Sequence, residues 1–133
     1  MKLRANPGDT VNERTLAYFS DADEEFVSLL IMAGMQKNVA KVLVFLAGAG
    51  TATSRTIERG ADLRQPEVSI ALSRMKALGW VADKPVPSKR KGRPNKEFRL
   101  ALPLRQILAM IEQAARQNME QQLGIVHRMR SLS

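Results

Sequence analysis

Two groups of residues in this chain could do chemistry, and both suit a polyanion. Gln65, Glu67, Ser69, Ile70, Ser73 and Arg74 share one side of a stretch whose apolar residues fall on the other. Gln65 can pair with adenine edges, Arg74 with guanine or phosphate, Ser69 and Ser73 with either base, and Ile70 can touch a thymine methyl; Glu67 lies on the same face. Lys89, Arg90, Lys91, Arg93 and Lys96 form the second group, fit for phosphates or a narrow minor groove. Between Lys84 and Arg99, seven cationic residues stand against Glu97 alone, which leaves +6 of the chain's formal +8 in this one segment. Arg55, Arg59, Arg64 and Lys76 are placed for backbone phosphates, contacts that set register without reading sequence.

The elements that must hold these groups can be read from spacing. Ile57 marks a short helix, Gly60-Ala61-Asp62-Leu63 a turn, and Val68, Leu72, Met75 and Leu78 one stripe of a second helix. Thr53 or Ser54 can cap the first helix, Pro66 suits the first turn of the second, and Gly79 can end it. Asp62 stands where glycine is more usual, but it tolerates positive φ. A hairpin follows. Trp80 to Asp83 leads out, Pro85 and Pro87 end that strand because they cannot donate to a ladder, and Glu97 to Leu102 returns with Phe98, Leu100 and Leu102 on one face. Upstream, a helix capped by Ser20 or Asp21 carries Phe26, Val27, Leu30 and Ile31. A second, from about Asn38 to Ala47, is apolar nearly all round and should be central.

The run Thr53 to Arg59, the run Arg64 to Val81 and the segment Lys91-Gly92-Arg93-Pro94-Asn95-Lys96-Glu97-Phe98-Arg99-Leu100 resemble the winged-helix transcriptional regulators of archaea and bacteria. The nearest likeness is to the archaeal TrmB type and the wider MarR- and ArsR-like group, over roughly residues 22 to 102. Lys91-Gly92-Arg93-Pro94 also resembles the core of AT-hook peptides, although a plain hairpin turn accounts for its Gly and Pro equally well. The resemblance implies a mainly α fold with a small β-hairpin, a winged helix-turn-helix, and the periodicity beyond Pro103 adds a long C-terminal dimerisation helix. The chain is thus expected to divide into an N-terminal arm (1–20), a DNA-binding domain (21–102) and a C-terminal helix (103–133).

That last helix is the other informative segment. Beyond Pro103, Leu104, Leu108, Ile111, Ala115, Met119, Leu123 and Val126 recur at spacings of three and four. At about 1.5 Å per residue it outruns what a domain of this size can cover, so the expected partner is a second copy, giving a two-fold dimer. Two reading helices about one turn of duplex apart would then meet successive major grooves of a near-palindromic site.

Other chemistries are bounded by composition. There is no cysteine, so disulfides, thiolate nucleophiles and cysteine-bound metals are excluded. The single histidine, His127, lacks the clustered partners of a metal site. Gly48 to Thr53 lacks the Gly-Lys-Ser/Thr of a phosphate-cradling loop, and no nucleophile is paired with a base. Asp23-Glu24-Glu25 reads as the acidic first turn of a helix. The apolar stretch Val39 to Ala49 is interrupted by Lys41 and falls short of the roughly 20 residues that span a bilayer. The expectation is a non-enzymatic, cytoplasmic, nucleoid-associated regulator that binds double-stranded DNA as a homodimer, without cofactor or metal, and with a small-molecule effector left open. Two alternatives stand beside it: an architectural chromatin protein with little sequence preference, and a winged-helix interaction module of a transcription assembly.

Overall fold

The computed structural model describes residues 19–87 and 95–133. Lys89, Arg90, Lys91 and Arg93 of the expected hairpin tip, and most of the N-terminal arm, lie outside the described residues. The chain runs α1 (Asp21–Met32), α2 (Lys37–Ala49), β1 (Thr51–Thr53), α3 (Ser54–Ala61), α4 (Gln65–Ala77), β2 (Val81–Val86), β3 (Asn95–Leu100) and α5 (Leu104–Leu132). It forms two compact units, one ending at Leu102 and the other running from Pro103 to Ser133.

In the first unit, four helices and a small sheet share one core. Leu43, Leu46, Ile57, Met75, Val42 and Val68 are its largest fully buried side chains, each worth about 1.5–3 kcal/mol relative to exposure. Three of the six come from α2, which packs against α1, α3 and α4. This central helix is longer than the predicted Asn38 to Ala47 by a residue at the start and two at the end.

Helix ends follow local chemistry. At α1, Ser20 Oγ accepts the Asp23 N–H at 3.1 Å and the Asp23 carboxylate accepts the Ser20 N–H at 3.1 Å, a reciprocal capping box. Thr53 caps α3 by accepting the Thr56 N–H at 3.3 Å. α3 ends on Asp62 in the left-handed region (φ 56°, ψ 55°), with the Leu63 N–H donating to the Glu58 carbonyl at 3.0 Å, so Asp62 does the work that glycine usually does in a Schellman closure. α4 ends the same way: the Gly79 N–H donates to the Lys76 carbonyl and the Trp80 N–H to the Met75 carbonyl.

Two expectations need correction here. Gly60 is not in the turn but inside α3, where it faces the ring of Phe45 and has no room for a Cβ. Leu78 is 53% exposed rather than part of the buried stripe: it is the C-cap of α4, and the chain turns away there so that buried Trp80 closes the core beside Met75.

The sheet has the order β1-β3-β2 and is antiparallel throughout. β1 is an unanticipated third strand, pairing Thr51, Ala52 and Thr53 with Arg99, Phe98 and Glu97. β2 also runs further than predicted, through Pro85 to Val86, with Pro85 opposite Lys96. Proline is tolerated because β2 is an edge strand with a neighbour on one side only. Phe98, Leu100 and Leu102 are half-buried, and β3 packs on α2.

The second unit is α5, 29 residues long with Pro103 at its N-cap position. Ile107 is its buried residue. Leu104, Leu108 and Ile111 are half-buried, and every residue from Glu112 onward is exposed.

Candidate nucleic-acid interface

α4 is oriented by its buried side. Val68, Ala71, Leu72 and Met75 face the core, which turns Gln65, Ser69, Ile70, Ser73 and Arg74 to solvent. Ile70 is 59% exposed on this face. Glu67 behaves differently from the rest of its group. Half-buried, it accepts the Arg64 backbone N–H at 2.8 Å and so satisfies a donor at the start of the helix. Pro66, which has no N–H to leave unpaired, occupies the same turn.

Beside α4 the hairpin forms the other wall of a groove of about 250 Å³. Gln65, Ser69, Ser73 and Lys76 of α4 line it with Ser54 from the start of α3, Asp83 from β2, and Lys96 and Phe98 from β3. Residues distant in sequence therefore meet along one channel, walled by hydroxyls, an amide, two ammonium groups, a carboxylate and the apolar side chains of Leu72 and Phe98. Lys76 Nζ lies 2.6 Å from Asp83 Oδ2 and ties the last turn of α4 to the hairpin. The hydrogen bond from Lys76 holds the Asp83 carboxyl below its ordinary pKa; burial opposes this, and the charges of Lys76 and Lys96 add to it. Lys84 and Glu97 stand 4.0 Å apart across β2 and β3.

The expected backbone-contacting residues Arg55 and Arg59 lie exposed on α3, and Arg64 is exposed in the turn before α4. Lys76 is partly engaged by Asp83, so its placement serves the clasp first. Along α5, Ala115, Met119, Leu123 and Val126 are exposed. Sequence reading missed Ser54, Asp83 and Phe98 as groove residues. Asp83 lies seven residues from Lys76 across a helix end and a turn, a separation that no periodicity marks. Among the described residues no group of three or more His, Asp or Glu could hold a metal, and no helix is long and apolar enough to cross a membrane. His127 is exposed.

No protein-family model matches the chain, and no curated protein does either. Solved structures do. TrmBL2, an archaeal chromatin protein, superposes with a TM-score of 0.60 at 16% identity, over 82% of this chain and 39% of its own; the chain thus spans about two fifths of TrmBL2. The transcriptional regulator PA4135 gives 0.52 at 16% identity over 85% of this chain and 90% of its own. BpsR of Bordetella bronchiseptica gives 0.50 at 16% identity over 82% and 90%. With its helix-turn-helix formed by α3 and α4, its wing by β2 and β3 and a long helix at the C-terminus, the chain has the winged-helix fold of these regulators.

Proposed function

We propose that this protein is a sequence-specific double-stranded DNA-binding transcriptional regulator that acts as a homodimer, placing α4 in the major groove and the basic hairpin on phosphates or the minor groove. The observation that carries this reading is the two-sidedness of α4. Val68, Ala71, Leu72 and Met75 are committed to the core, while Gln65, Ser69, Ile70, Ser73 and Arg74 remain outside, with Gln65, Ser69 and Ser73 along a channel shared with Lys96. Base edges are the target for which an amide, hydroxyls, an exposed isoleucine and a guanidinium form a matched set. Lys89, Arg90, Lys91, Arg93 and Lys96 supply the charge that makes such binding tight and salt-dependent. Pairing of α5 with its mate in a second chain supplies the second reading helix.

Selection of bound fragments from random DNA, followed by affinity for the winning and scrambled duplexes at one salt concentration, tests this. A ratio of about 10³ or more supports a regulator. A ratio near one favours the second reading, a chromatin protein of low sequence preference, which the likeness to TrmBL2 brings forward. An effector enters by way of BpsR, whose DNA binding is regulated by 6-hydroxynicotinic acid. Titrating that acid into the protein–DNA complex tests whether this chain responds, and unchanged affinity would remove it from the reading.

A further inference from the structure

α5 carries a second pattern besides the stripe already described. Leu104, Leu108, Ile111, Ala115, Asn118, Gln122, Ile125, Met129 and Leu132 follow one another in steps of four and three that alternate without a break along the helix. A step of four overshoots a helical turn by about 40° and a step of three falls short by about 60°, so the alternation drifts only about 20° per heptad and stays on one face. The path Ile111, Ala115, Met119, Leu123 takes three steps of four and wanders about 120° round the helix. Opposite the alternating face stand Gln106, Gln113, Glu120 and His127, all polar. Ile125, Met129 and Leu132 are 52%, 57% and 71% exposed, an apolar end with nothing over it.

We propose that the two-chain seam of α5 is this alternating face, that its occupant is a second copy of the same chain running parallel and in register, and that Asn118 and Gln122 form its central polar layers and fix that register. This rests on the dimer reading above and specifies its geometry. The seam is apolar at both ends and carboxamide in the middle. A generic apolar surface laid on it would strip water from two side-chain amides and return no hydrogen bond. A second copy in register sets Asn118 against Asn118 and Gln122 against Gln122, and each carboxamide is both donor and acceptor. Sliding one chain by a heptad sets Asn118 against Ile111 or Ile125, so wrong registers are penalised in the way a single buried Asn selects register in coiled coils. Antiparallel pairing would also bring the amides together, at Asn118 and Gln122 of opposite chains. Because the first unit leads directly into α5, however, that arrangement would send the two reading helices to opposite ends of a rod about 43 Å long at 1.5 Å per residue. Parallel pairing keeps them at one end. Met119 then borders the seam and Leu123 turns away from it.

The absence of native cysteine makes the test direct. Full-length Asn118→Cys and, separately, Gln113→Cys are oxidised mildly at micromolar concentration and run on a non-reducing gel. The expected result is rapid disulfide-linked dimer for Asn118→Cys and a single chain for Gln113→Cys. In parallel, sedimentation of Asn118→Leu/Gln122→Leu should show association tightened by about tenfold or more, with species larger than a dimer, since the amides that limit register and stoichiometry are gone. Equal cross-linking at 118 and 113, or at neither while the unmodified chain sediments as a dimer, overturns the seam and leaves the dimer reading standing. Cross-linking only between Asn118→Cys and Gln122→Cys chains when mixed overturns the parallel register. An unmodified chain that stays monomeric at micromolar concentration overturns the dimer reading itself.

Discussion

A Cβ added at Gly60 would meet the ring of Phe45, and this gives a prediction in which two effects oppose one another. Replacing Gly60 by Ala inside α3 should gain helix propensity, about 1 kcal/mol relative to glycine. The new Cβ, however, would sit at the ring edge of Phe45, 2.6 Å from Cζ, 2.8 Å from Cδ1 and closer still to Cε1. Three ring atoms inside contact distance cannot be relieved by a small torsion. The ring must leave its position or α3 must move off α2, and overpacking of this kind costs about 1–3 kcal/mol, occasionally more. Steric overlap should win, for a net loss of up to about 2 kcal/mol. At about 4–8 °C per kcal/mol for a domain of this size, Gly60→Ala should lower the melting temperature by up to about 15 °C, followed by circular dichroism or by the emission of buried Trp80. In a Phe45→Leu background the ring edge is gone and the same substitution should become neutral or stabilising. A melting temperature raised by Gly60→Ala in the natural background, or an equal loss in both backgrounds, would refute the packing argument.

Other expectations concern single interactions. Ser20→Ala removes half of the α1 capping box and should cost about 1 kcal/mol in urea melts; an unchanged midpoint would deny the cap any weight. Asp83 has a folded-state pKa below the ordinary 3.8, so its pairing with Lys76 should stabilise the fold above that value and fade as the pH falls through the lower folded value. The stability difference between the natural chain and Asp83→Asn should therefore be constant near neutral pH and shrink in acid, and a difference that grew in acid would reverse the sign of the argument. Lys96→Gln should weaken binding to all duplexes alike and reduce the salt slope by about one, whereas Ser69→Ala should change which duplexes are preferred. Identical losses on every sequence from both changes would remove the division between reading and positioning residues.

The helix-turn-helix was legible because its signals are local. Ile57, Val68, Leu72 and Met75 repeat at helical spacing, and Pro66 and Gly79 punctuate the ends, so α3 and α4 stand close to where the spacing puts them. What escaped was set by partners far along the chain. β1 is three residues long, too short for any alternation to register, and exists because β3 offers it a ladder some forty-five residues later. Gly60 looked like a turn residue because glycine serves turns and close approaches equally, and only the position of Phe45 separates the two. Pro85 read as a strand end because sequence does not say which strand lies at an edge. The polar face of α4 was readable from its apolar one, but Glu67 belongs to the cap, and the groove beside that face arises from convergence of α3, α4, β2 and β3.

The two borders of the small sheet bear on how copies of this protein can meet. One outer strand is only three residues long; the other places a proline opposite Lys96 and a lysine opposite Glu97, so neither presents a continuous row of free amide and carbonyl groups. Short borders and borders carrying proline or lysine discourage strand-to-strand recruitment. The protein is thereby protected from polymerising through its sheet, and self-association is left to helical surfaces, where side-chain chemistry can limit it to a defined number of chains.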